Sequence, residues 1–118
     1  MLFDPKWNES KSNELWRQNL LLAAGIVRRR GLAKWVQEDH AGRVCVHGAI
    51  NLAIRGEADA NTVGCAENFA IHRYLRSKGV SERLTTPIGS AQWNNEDERT
   101  AEDVIAALEG AAALATAT

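Results

Sequence analysis

Aromatic residues make up 6% of this chain, and there are only two cysteines and two prolines. Two cysteines allow one disulfide at most, so no cross-linked scaffold is available to hold the fold. The opening Met-Leu-Phe-Asp-Pro-Lys is too short and polar for a secretory leader, so Cys45 and Cys65 are expected as reduced thiols in a cytoplasmic protein. No apolar run approaches the ~20 residues that cross a bilayer. A net charge of −1 gives the molecule no overall attraction to nucleic acid or membrane. No period-two alternation is sustained, which argues against a sheet, and no internal repeat is present. No glycine-rich phosphate loop occurs, and no cofactor is expected.

What remains is ordinary globular composition, 45% hydrophobic and 25% charged over 118 residues. That length suits one domain able to bury about two-thirds of its unfolded surface. The polar first dozen residues read as an N-terminal arm (1–12), followed by one helical domain over 13–115. Ser12 or Asn13 is placed to cap a first helix. Its apolar face comprises Leu15, Trp16, Leu22, Ala23 and Ile26, widened by Leu20, Ala24 and Val27, and Gly31 stops it. Leu32–Glu38 reads equally as a short helix or an extended connector, and Asp39-His40-Ala41-Gly42 as a turn. A second helix is predicted from Arg43 to Ile54, ended by Gly56; Gly48 in its middle implies close approach of another helix or a ring. A third is predicted from Val63 to Lys78, capped by Asn61 or Thr62, with Ala66, Phe69, Ala70 and Tyr74 inward and Gly79 as its stop. Val80–Gln92 reads as an irregular connection anchored by Ile88. A last helix starts at Thr100, whose hydroxyl and Asp103 form a capping box; Gly110 and the Ala/Thr tail are expected to fray. The fold class that follows is a small all-α bundle of about four main helices.

Three segments stand out: Gly42-Arg43-Val44-Cys45-Val46-His47-Gly48-Ala49, then Trp93-Asn94-Asn95, then Arg99-Thr100-Ala101-Glu102-Asp103-Val104-Ile105. Together they resemble a domain-of-unknown-function family of small actinobacterial and actinophage proteins, over residues 15 to 113. Members of that family usually carry Asp at the position of Asn95. The resemblance implies an α-helical domain and brings no activity, cofactor or catalytic residue. On the residues themselves, Trp93 reads as a core anchor, Asn94 and Asn95 as turn formers, and Arg43 as their neighbour.

Four Cys and His residues invite a zinc reading, but Cys45 and His47 on one helix would point about 200° apart. A thiol enzyme or ligand-binding domain would centre on a pocket of Asp39, Arg43, Cys45 and Asn94. Arg28, Arg29 and Arg30 beside Trp35 offer a basic patch for nucleic acid, although a helix C-terminus alone accounts for them. The acidic run around Glu96–Asp103 could serve self-association with that patch. The leading expectation is a non-enzymatic module that binds a protein partner, with Trp7, Trp35 and the Arg28–Arg30 cluster as contact candidates. A phage origin would make it regulatory and host-directed.

Overall fold

A computed structural model describes the backbone of residues 5–118 and the side chains from Leu15 onward, Pro87 excepted. Five α-helices and one 3-10 turn follow in order: α1 (Pro5–Arg30), α2 (Val46–Arg55), α3 (Ala66–Ser77), the 3-10 turn (Glu82–Leu84), α4 (Pro87–Asn95) and α5 (Ala101–Ala112). Among the described residues no strand forms, so the all-α expectation holds with one helix more than four. The start expected at Ser12 or Asn13 instead lies inside α1.

α1 is the central post, packing against α5, α2 and α3. Its buried face is Trp16, Leu20, Ala23, Ala24, Ile26 and Val27. Leu15 and Leu22, expected inward, are exposed instead. Arg28–Arg30 fill the last turn, where the helix dipole favours cations, and Gly31 follows at φ 90°. α5 lies along α1, burying Val104, Ile105, Ala107, Leu108, Ala111 and Ala112. Its Thr100–Asp103 capping box is present with both bonds formed.

α5 runs two residues past Gly110, to Ala112, and the non-helical tail beyond it is tied back to α1. Arg17 of α1 donates to the carbonyls of Ala112 (3.1 Å) and Ala115 (2.9 Å), satisfying acceptors that a helix end leaves open. Gly110 itself is a seat: a Cβ there would overlap the Tyr74 ring of α3.

α2 begins three residues later than its composition suggests. Cys45 is its N-cap, with extended backbone and a sulfur accepting from Gly48 N at 3.3 Å. Gly48 is required by a close approach, as expected, but of the loop rather than a helix or ring: a Cβ there would overlap the Gln37 carbonyl. α3 likewise starts late, at Ala66. Its buried residues are Glu67, Asn68, Ala70, Ile71, His72 and Leu75, whereas Phe69 points to solvent.

The stretch expected to be irregular carries α4. Thr86 caps it, accepting from Gly89 N, and Pro87 occupies the first turn, where its missing N–H costs nothing. Ile88, expected as a buried anchor, is 76% exposed because it falls on the outer side of that turn.

Candidate functional site

The loop between α1 and α2 folds back on itself around Val44. Ala33 N donates to Val44 O, Val44 N to Gly31 O, Asp39 N to Arg43 O and Cys45 N to Gln37 O. Gly42 at φ 83° closes the turn, and Asp39 Oδ1 accepts from the N–H groups of Ala41 and Arg43. Arg43 Nε then pairs with Asp39 Oδ2 at 2.6 Å. Burial pushes the Asp39 carboxyl up, but the Arg43 guanidinium and the two N–H groups outweigh it and hold the pKa below its ordinary value. Asp39 and Arg43 are thus consumed by the turn.

Asn94 and Asn95 are the tip of α4 rather than a turn, and they fasten this loop. Asn94 is fully buried; its Oδ1 accepts from Val46 N (2.9 Å), an open donor of α2's first turn, and its Nδ2 donates to Ala33 O (3.0 Å). Asn95 Oδ1 accepts from Trp35 N at 2.7 Å. Lys34 Nζ reaches the carbonyls of Glu96 and Asp97. Trp93 plugs the core at 4% exposure, as expected. Its partner is not Arg43 but Arg99, which stacks on the ring (4.1 Å) and donates to the Trp93 carbonyl and to Glu96. The three sequence motifs therefore meet in space as a clasp.

That clasp presents Trp35 in an unusual state. Its φ is 71°, the left-handed region that bulky residues avoid, and its ring is 77% exposed. Beside it opens a cavity of about 400 Å³, lined by Trp35, Val36, Cys45, His47, Val63 and Ile88 among others. Val36, Val63 and Ile88 are also large apolar side chains exposed to solvent, so the mouth of the cavity is apolar. Of the four residues expected to line a pocket, Cys45 does so and Asn94 lies buried, while Asp39 and Arg43 face the turn.

Cys45 is not an activated nucleophile. It is 7% exposed, and burial raises its thiol pKa, only partly offset by the N–H groups of Gly48 and His47. Behind the cavity lies a constellation that the linear order hides. His47 Nε2 (α2) and His72 Nε2 (α3) stand 2.8 and 3.1 Å from the same hydroxyl, that of fully buried Ser90 on α4. The Ser90 hydroxyl has one proton and two acceptor lone pairs, so it donates to at most one ring and accepts from at least one. Burial, then the charge of His72, lowers the His47 pKa to about 4; burial and Arg76 lower that of His72. No group of three or more His, Cys, Asp or Glu converges on a metal position among the described residues.

The basic patch is dispersed. Arg28 pairs with Glu109 (3.4 Å) and Arg30 with Glu38 (2.8 Å), while Arg29 is exposed. The side chain of Trp7 lies outside the described residues. No helix is long and apolar enough to cross a membrane among the described residues.

No curated protein and no solved structure matches the chain significantly. The sequence does match a family of unknown function over residues 12–114, which includes all three motifs of the clasp. With that match spanning nearly its whole length, the chain belongs to the family of unknown function DUF6197.

Proposed function

We propose that this protein is a non-catalytic recognition module that binds a protein partner by taking an apolar side chain into the cavity beside Trp35. One observation carries the reading: Trp35 is both strained and exposed, and two polar anchors from α4 and the residues after it hold it so. Strained, solvent-facing backbone persists where the surroundings over-determine it, and such positions cluster at functional sites. Tryptophan beside a small apolar concavity is the usual core of a binding hot spot. The apolar rim of Val36, Val63 and Ile88 supplies the water-excluding surround. The alternatives draw less support. A thiol enzyme needs an accessible, acidified cysteine, and Cys45 is neither. Nucleic-acid binding through Arg28–Arg30 needs free guanidinium groups, and two of the three are paired with carboxylates. The motif resemblance to phage proteins makes a host regulatory protein in the cytoplasm the first partner to test.

The test is selection of peptides from a random display library, followed by titration monitored by backbone amide shifts. Selected peptides should carry a large apolar residue and perturb Trp35, Val63 and Ile88. Trp35→Ala should weaken them by roughly thirtyfold, the scale of a hot-spot truncation. Peptides that bind equally well to Trp35→Ala and Ile88→Ala would overturn the assignment.

A further inference from the structure

A second recess lies between the outer face of α3 and the start of α4. It is about 710 Å³ and is lined by Phe69, His72, Arg73, Arg76, Thr85 and Thr86, with Ser77 and Thr118 at its edge. Its charge sets it apart. Two guanidinium groups line it, and no Asp or Glu side chain does. The other recesses described carry Asp59, Glu38 with Asp59, or Glu102 with Glu109, except one whose only charged residue is Arg55.

The arginines of this recess also lack a carboxylate side chain as partner. Arg28, Arg30, Arg43 and Arg99 each pair with a carboxylate. Arg73 and Arg76 pair with no Asp or Glu side chain among the described residues. Arg73 instead donates to oxygens of the chain's own tail, the Thr116 hydroxyl (2.5 Å) and the main-chain oxygen of Thr118. The tail's oxygens thus take up donors of Arg73, and an anion binding there would displace them.

The opposite wall adds donors of the same preference. Thr86 is the N-cap of α4, and its Oγ1 accepts from Gly89 N, which leaves the hydroxyl proton free to serve as a donor. No acidic residue neutralises the positive end of that helix. Phe69, four residues before Arg73 on the same face of α3, is 47% exposed at the rim. Guanidinium groups seven and four residues along from an exposed ring suit a ligand with oxyanions at one end and a flat ring at the other.

We infer that this recess is a binding site for a small phosphate monoester carrying a planar ring, held by Arg73, Arg76 and the Thr86 hydroxyl, with Phe69 against the ring. The recess has the size of small-molecule sites in general, and planar guanidinium forks match phosphate oxygens in pairs. The site is independent of the Trp35 cavity and stands or falls separately from it.

Isothermal titration at low ionic strength tests it with three probes: adenosine 5′-monophosphate, inorganic phosphate and adenosine. The monophosphate should bind saturably and at least about tenfold more tightly than either fragment. Arg73→Gln with Arg76→Gln should weaken it by more than about tenfold, the scale of lost charge-assisted bonds. Phe69→Ala should bring it down to the level of inorganic phosphate. All three positions are exposed, so the variants should melt like the parent; Arg83→Gln, outside the recess, should bind as the parent does. Absence of saturable binding, equal binding of adenosine, no gain over inorganic phosphate, or indifference to the double arginine variant would each refute the site.

Discussion

At an ordinary exposed position alanine is more stable than glycine, because glycine loses more backbone freedom on folding. At Trp35 the order should reverse. The left-handed conformation costs a residue with a Cβ about 1–2 kcal/mol, and glycine nothing. Against this stands glycine's entropic disadvantage of about 0.5–1 kcal/mol. Trp35→Gly should therefore be more stable than Trp35→Ala by about 0.5–1 kcal/mol. The tryptophan ring is 77% exposed, so only about a quarter of it contributes burial. That is roughly 50 Å², or about 1 kcal/mol, which both variants lose. Trp35→Gly should thus lie within about 1 kcal/mol of the parent, and Trp35→Ala at least 1 kcal/mol below it. Urea titration with unchanged m-values gives these differences directly, and the two variants should melt roughly 2–4 °C apart. Both variants should lose peptide binding. If alanine equals or exceeds glycine, the strain is not there. If glycine costs more than about 2 kcal/mol, the ring belongs to the fold rather than to a partner.

Three further outcomes follow from the clasp and the buried bridge. Asn94→Ala leaves the Val46 N–H and the Ala33 carbonyl without their partner, and should cost about 2–4 kcal/mol, read as a fall of roughly 10 °C in Tm. Asn95→Asp should change stability by less than about 0.5 kcal/mol, because both described bonds of Asn95 use Oδ1 as acceptor, a role carboxylate fills equally; loss of Trp35 amide protection from exchange would contradict this. His47 has a folded pKa of about 4 against 6.5 when unfolded, so its neutral form is favoured by folding. That contribution is complete above pH 6.5 and should be lost as pH falls toward 4, by about 3 kcal/mol for His47, with His72 acting in the same direction. Denaturant midpoints that stay flat from pH 7 to about pH 4 would contradict the neutral His–Ser–His bridge.

What could be read from the order of residues was whatever is decided locally. The Thr100–Asp103 box uses atoms three residues apart, and the stops at Gly31 and Gly56 need only their own φ. Thr86-Pro87 was equally local, a cap followed by a residue that tolerates a helix's first turn; reading it as a breaker hid α4 and misplaced Ile88. Other features have no local signature. Asn94 bonds to Val46, 48 positions away, and nothing around it distinguishes that role from a turn. Ser90 joins His47 and His72 from three separate helices. The N–H of left-handed Trp35 is bonded by Asn95, 60 positions on, a contact that exists only once the chain is assembled. Cys45 reads as the third residue of a helix that it in fact caps, because small apolar residues continue the helical pattern across the cap.

The grip of Arg17 on the end of α5 also bears on how the chain folds. The partners are 95 and 98 residues apart, in a protein whose most extensive helix–helix interface is between α1 and α5. Helical proteins commonly fold fast because their contacts are local; this one must close a loop spanning nearly its whole length before its central post is covered. During synthesis α2 and α3 can cover their share of α1, but the side that receives α5 stays open until α5 has emerged. The intervening helices cannot cover that face alone, so completion of the fold should come as one late, cooperative event.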